Sequence, residues 1–171
     1  MILQLKVSLK GATPPVWRRF LVGGEMTFHQ LHEILQVAFD WLDFNLHSFD
    51  IHQTRKKRLT NPITIGLTDH DDPKDYDYDE SIEKIGDWLV MEKDRSVYTY
   101  NFFEFWELEI LTEKVLPAEE QNLYPYCVKA VRVAPGDISK DSFEKVEEAD
   151  SKVLTQELND ALQSFLKKVE A

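Results

Sequence analysis

Most of the chemistry open to this chain of 171 residues would fall to its five histidines, its acids and one cysteine. His29-Gln-Leu-His32-Glu33 sets two imidazoles three residues apart on what reads as a helix. A helical zinc motif needs histidines four apart, so that both rings reach one ion from one face. Here the order differs: His29 is expected to project outward and His32 to border the core in a structural role. Asp75-Tyr-Asp77-Tyr-Asp79 opens with the rhythm of a calcium loop. Glu80 then stands where the turn needs glycine, and Gly86 where a bidentate glutamate belongs. No metal and no cofactor are therefore expected. Cys127 is the single cysteine, which excludes an internal disulfide and fits a reducing cytoplasm. A nucleophilic thiol needs a base and a lowered pKa, and a small buried hydrophobe is the plainer role. There is no glycine-rich phosphate loop, no Gly-x-Ser-x-Gly elbow and no paired cysteine motif. Any catalytic site would have to assemble His32, His47, Glu104 and Cys127 from distant points, as a metal-assisted hydrolase would.

The elements that would position these residues are legible in the hydrophobic pattern. Leu3, Leu5, Val7 and Leu9 alternate with Gln4, Lys6, Ser8 and Lys10, which predicts a half-buried antiparallel strand. Val16–Val22 reads as a second strand with Arg18 and Arg19 on opposite faces. Thr27 and Gln30 have capping-box spacing, with Met26 placed to staple onto Leu31. Phe28, Leu31, Ile34, Leu35 and Ala38 form the apolar stripe of the helix that follows. His29, Glu33, Gln36 and Asp40 fall on its other face. Residues 46–52 read as a short strand, 53–80 as a long loop, and 81–89 as a short helix with Ile82, Ile85 and Leu89 inward. Strands are predicted over 97–102, 106–116 and 126–133. Residues 137–151 read as polar, with a helical turn capped by Asp141. The stripe Leu154, Leu158, Ala161, Leu162, Phe165, Leu166 and Val169 predicts a C-terminal helix. This order indicates an α+β fold, mainly one antiparallel sheet, in a single domain over 1–171, with 137–171 as a helical extension packed on it.

Charge narrows the classes of partner. The formal net charge is −11, and it is uneven: residues 1–68 carry +3 and residues 69–171 carry −14. The basic run Arg55–Arg58 and the acidic run from Asp69 to Glu80 read as solvated loops. The acidic excess opposes binding to a long polyanion, so nucleic acid is not an expected partner. No apolar run reaches the ~18 residues that span a bilayer, and a cytoplasmic protein without membrane contact is expected. The four tryptophans are core by default, and any two exposed together would mark a binding surface.

Leu5-Lys-Val-Ser-Leu-Lys10, Pro14-Pro-Val-Trp17-Arg18-Arg19, Thr27 to Ile34, Trp41 and Leu46-His47-Ser-Phe49 together resemble the plasmid pRiA4b ORF three-like family. With Tyr100–Ile110 the resemblance is strongest over residues 5–130. Its relatives include passenger proteins of transposons, which implies a mobile-element association and raises a nucleic-acid accessory role as one alternative. The family's usual Tyr-Asp-Phe-Gly-Asp-x-Trp-x-His is here Tyr100-Asn-Phe-Phe-Glu-Phe-Trp106-Glu-Leu108. Asn101, Phe103, Glu104 and Leu108 replace Asp, Gly, Asp and His, and Asn45 stands where a histidine is frequent. Loss of the glycine predicts an altered turn, and loss of the acids and the histidine implies an eroded polar site. The reading that results is a protein-interaction module without catalysis, with a small-molecule ligand as a second class of partner. Its binding surface would use Trp17, Arg18, Arg19, Asn45, Asn101 and Trp106, because arginine and tryptophan anchor many interfaces.

Overall fold

The alternating N-terminal segment becomes a central strand. In the computed structural model, which describes residues 1–54, 57–68, 76–119, 123–136 and 146–170, β1 (Ile2–Leu9) buries Leu3, Leu5, Val7 and Leu9. It lies between β2 (Trp17–Gly23) and β7 (Trp106–Leu116), antiparallel to both. With β3 (His47–Thr54), β4 (Lys57–Gly66), β5 (Tyr78–Asp79), β6 (Arg95–Tyr100) and β8 (Tyr126–Val131) it forms one sheet, ordered β5-β4-β3-β6-β7-β1-β2-β8. Every pairing is antiparallel except that of β4 with β5. The class is α+β, as the pattern predicts.

Helix α1 (Phe28–Ala38) lays Phe28, Leu31, Ile34, Leu35 and Ala38 into the core. Its start is the predicted capping box: Gln30 N donates to Thr27 Oγ1 at 3.1 Å, and Thr27 N donates to Gln30 Oε1 at 3.0 Å. Two further N–H groups of its first turn, which have no intrahelical acceptor, donate to distant carbonyls. Phe28 N reaches Glu83 O at 3.1 Å and His29 N reaches Glu80 O at 3.0 Å. The start of α1 is therefore docked on the segment that follows β5. The same segment crosses the backbone at Gly24, where Gly86 N donates to Gly24 O. A Cβ on Gly86 would lie 2.6 Å from that oxygen, so the crossing requires glycine.

Several expectations need correction. Residues 53–80 are not one loop: β4 and β5 lie within them. Ile63 and Ile65 flank Thr64 in the alternation of a strand. Pro62 sits where the β3–β4 register shifts, a place that tolerates a missing N–H. The helix expected over 81–89 shrinks to α2 (Ile85–Trp88), because Glu80 and Glu83 give their carbonyls to α1. Ile85 and Leu89 are buried as expected, whereas Ile82 is exposed. Gln36, expected outward, is buried. Residues Arg55, Lys56, 69–75 and 137–145 lie outside the described residues, and with them half of the basic run, most of the acidic run and the expected Asp141 cap.

Helix α3 (Ser151–Glu170) packs on β8 and α1. It buries Leu158 and Leu162 but leaves Val169 exposed. Its Ser151, Thr155 and Asn159, spaced four apart on one face, bond the free edge of β8. Ala130 N donates to Thr155 Oγ1, Cys127 N to Asn159 Oδ1, Asn159 Nδ2 to Cys127 O, and Ser151 Oγ to Ala130 O. Side chains of a helix thus satisfy a strand edge that would otherwise invite pairing with another chain.

Candidate metal centre

The residues that α1 and the post-β5 segment bring together are imidazoles and carboxylates. His29 and His32 project from α1, His47 opens β3, and Glu80 follows β5. Glu80 is fully buried, and among the described residues its carboxylate meets imidazoles only. His47 Nε2 lies 2.8 and 2.9 Å from its two oxygens, and His29 Nδ1 lies 2.8 Å from Oε2. The backbone fixes this meeting: Glu80 N donates to Gly66 O, and Glu80 O accepts from His29 N. A buried carboxylate is costly unless its charge is matched, and here two ring nitrogens are what match it.

Proton counting makes His29 informative. Its Nε2 lies 3.0 Å from Glu33 Oε1, so both ring nitrogens face carboxylates. A neutral imidazole has one N–H. A neutral ring serves one of the two carboxylates, and the other contact needs a further proton, on the ring or on a carboxyl, or a cation that takes the place of the Nδ1 proton. In the last case Nε2–H donates to Glu33, the carboxylate–histidine–metal relay that orients metal ligands.

His32 is different. Its Nδ1 lies 2.8 Å from Tyr98 Oη, which accepts from Gln36 Nε2, and its Nε2 lies 2.9 Å from Asp43 Oδ1. One neutral tautomer satisfies all of this: Tyr98 donates to Nδ1, and Nε2–H donates to Asp43. Burial, together with the neighbouring His47, pushes the His32 pKa down to about 3. The His32 ring stacks on that of His47, with centroids 3.4 Å apart and planes 7° from parallel. Burial also raises the pKa of Tyr98 and of Asp43.

Two trios have metal-ligand proximity, His29–His47–Glu80 and His32–Asp43–His47, each with ligand atoms within 4.8 Å of one another. The first has the unsettled proton count and the relay carboxylate. The second already has a closed hydrogen-bond set. An open cleft of ≈ 480 Å³ lies between α1, the 40–43 loop and α3, with His29 and Glu33 in its wall.

His32 and His47 do converge, but with His29, Asp43 and Glu80 rather than with Glu104 and Cys127. Glu104 lies in the β6–β7 turn, outside both trios. Cys127 is buried under α3, and burial raises its pKa to about 11, which leaves the thiol protonated. The residues considered for a binding surface are scattered. Arg18 is buried and donates to the carbonyls of Ala38, Trp17, Val131 and Arg132. Arg19 is held by Glu113, and Trp17 lies on the opposite face of the sheet beneath Lys6, Arg19 and Lys129. Trp106 is core. Asn45 Nδ2 donates to Tyr100 Oη, and Asn101 Oδ1 accepts from the N–H groups of Phe103 and Glu104. The left-handed backbone of that turn falls on Asn101 (φ 63) and Phe105 (φ 52), not on Phe103, so losing glycine at 103 carries no such strain. His29, Asp43, Glu80 and their supports Gln36 and Tyr98 were not legible as a site. The closely spaced His29 and His32 were the only signal.

No curated protein matches this chain. The crystal structure of a protein of unknown function, MM3350 from Methanosarcina mazei Go1, is similar to it at 32% identity and a TM-score of 0.71, covering 84% of this chain and 77% of that one. Residues 1–163, which carry both the sheet and the histidine–carboxylate centre, match the plasmid pRiA4b ORF-3-like protein family, and the chain belongs to that family.

Proposed function

We propose that this protein binds one divalent transition-metal ion through His29 Nδ1, His47 Nε2 and a Glu80 oxygen. The observation that carries this reading is the His29 ring, held between Glu80 and Glu33 with one more acceptor than a neutral imidazole can serve. Two imidazoles and one carboxylate suit zinc or its neighbours, and three protein ligands leave a coordination position open, as in hydrolytic zinc sites. Ligands held ~2.1 Å from a tetrahedral ion sit roughly 3.4 Å apart, so the present spacings of 2.8–2.9 Å would widen slightly on binding. His32 stacks on His47 and fixes its plane, while Asp43, Gln36 and Tyr98 hold His32. An ion in this position would polarise a water or carbonyl bound at the open coordination position.

The test is calorimetric titration of metal-stripped protein with zinc, cobalt and manganese, and the visible spectrum of the cobalt form. One ion per chain is expected, with affinity lost at least a hundredfold in His47→Ala and roughly tenfold in Glu33→Gln, the size typical of a relay carboxylate. Binding that is no tighter than millimolar, or that ignores both substitutions, overturns the reading.

A second reading, a protein-interaction module, is supported by a different observation. Phe44, Leu46 and Phe103 are 82%, 70% and 95% exposed on two loops tied by the Asn101 N to Leu46 O bond. Clustered exposed apolar side chains mark interfaces more often than chance. Loss of a co-purifying partner on Phe44→Ser with Phe103→Ser, with the fold intact, would favour it.

A further inference from the structure

We infer that the cleft beside His29 takes an organic cation, a primary amine or guanidine carried on a short apolar body. The inference rests on the metal-centre reading only in that His29 belongs to both the trio and the cleft wall.

The walls determine the class of ligand. Glu33, Asp40 and Asp43 supply three carboxylates, and no lysine or arginine lines the cleft among the described residues. Of the trio, only His29 reaches this lining; Glu80 and His47 do not. Even the full charge of a divalent ion behind His29 would not cancel three carboxylates, so the cleft stays electronegative with the ion in place. Anionic ligands such as phosphates and carboxylic acids are disfavoured, and a cation is drawn in. Ala161 and Phe165 of α3 supply an apolar wall, and Val37 adds apolar surface beside the acids on α1. Such a volume, about 480 Å³, falls in the range of small-molecule sites, which combine apolar walls with a few placed polar groups.

The acids differ in role. Glu33 is held by His29, and Asp43 by His32 and by its own N–H bond to Gln36 Oε1. Asp40 is exposed on the rim, so its carboxylate is the one best placed to receive the cation. It has a left-handed backbone, φ 55. Asparagine tolerates that conformation as readily as aspartate, so Asp40→Asn removes the charge and leaves the loop intact.

The probes are 2-phenylethylamine and 3-phenylpropanoate, which share an apolar body and differ in the sign of the head group. Each is titrated into ion-free and zinc-loaded protein by calorimetry. The amine is expected to bind at least tenfold tighter than the acid, and Asp40→Asn to weaken it about fivefold while leaving zinc affinity unchanged. Equal or tighter binding of the acid, indifference to Asp40→Asn, or no binding of the amine at millimolar concentration overturns the inference. So does an amine affinity that follows His47→Ala instead of Asp40→Asn, since the amine would then be sitting on the ion. Failure of the metal reading is seen separately in the zinc titration: amine binding to ion-free protein with the same dependence on Asp40 supports the cleft even if no ion binds.

Discussion

The two faces of the sheet use the same side-chain chemistry to opposite ends. On the outer face, Glu113 accepts from Arg19 Nε at 2.7 Å and from Arg19 Nη2 at 3.0 Å, and Lys10 Nζ lies 3.0 Å from Glu107. These groups stay partly in water, and each carboxylate has a permanent cation beside it. On the inner face, Glu80 is out of water and has only titratable imidazoles for company. A wet ion pair loses little when it breaks, because water replaces the partner. A buried carboxylate has no such substitute. The outer face therefore tunes solubility and register, whereas the inner face holds a charge that only folding, or an added cation, makes tolerable.

The largest effect that would break this contrast is at Glu80. Glu80→Ala should destabilise the protein by roughly 3 kcal/mol, the scale for removing one member of a buried charged set, and should abolish ion binding. Urea unfolding measures the first and calorimetry the second. Glu80→Gln keeps the shape of the side chain and an acceptor oxygen, so it should recover part of the stability but not the ion. If the alanine variant loses no more than an outer-face carboxylate variant does, the two faces are energetically alike and the contrast fails.

The next effect is a pH dependence that, between pH 7 and 5, belongs to the inner face. The folded His32 has a pKa of about 3 because it is buried against His47, whereas the unfolded chain's histidine titrates near ~6.5. Between those values the unfolded state binds a proton that the folded state refuses, so this residue makes stability fall as pH falls from about 6.5 toward 3. The slope approaches ~1.4 kcal/mol per pH unit. Glu113 has the same sign in a more acidic window. Its folded pKa is lowered, chiefly by the Arg19 hydrogen bond, so its contribution is present above the ordinary carboxylate value and is lost only as pH falls through the depressed one. Stability curves of the natural protein and His32→Asn, measured from pH 7 to 5, should therefore converge as pH falls. Parallel curves would mean that His32 is protonated in the folded state as easily as in the unfolded one.

What the sequence revealed follows from how local each signal is. The β1 alternation, the Thr27–Gln30 cap and the β7 pattern are properties of neighbouring residues, and each appears where it was read. Arg18 and Arg19 were placed on opposite faces by strand periodicity, but periodicity cannot tell that the buried one would meet four carbonyls. Glu80 was illegible for a different reason. It ends an acidic run and carries no spacing that sets it apart from Asp77 or Asp79. Its burial comes from backbone bonds to Gly66 and His29, far away in sequence. His29 was assigned outward by the helical wheel, and it is indeed half-exposed. The carboxylate that recruits it arrives from the other side of a 51-residue separation. The resemblance pointed to an eroded polar site in the 101–108 turn, yet the polar centre of this chain is built from α1, β3 and the residue after β5.

The smallest effect would sharpen the comparison at the outer face. A double-mutant cycle on Arg19→Gln and Glu113→Gln isolates their coupling from the packing of the arginine stem on Trp17. The pair is two-pronged and about one-quarter exposed at the arginine, so its coupling should lie near the upper end for surface pairs, about 0.5–1 kcal/mol. Because the pair touches water, added salt should reduce the coupling, and at ~1 M salt, where the screening length is ~3 Å, most of it should vanish. The ion affinity of the inner face should not move in any of these variants. A coupling that persists in high salt would place Glu113 in surroundings as dry as those of Glu80, and the difference between the faces would then rest on the identity of the cation, guanidinium against imidazole, rather than on water.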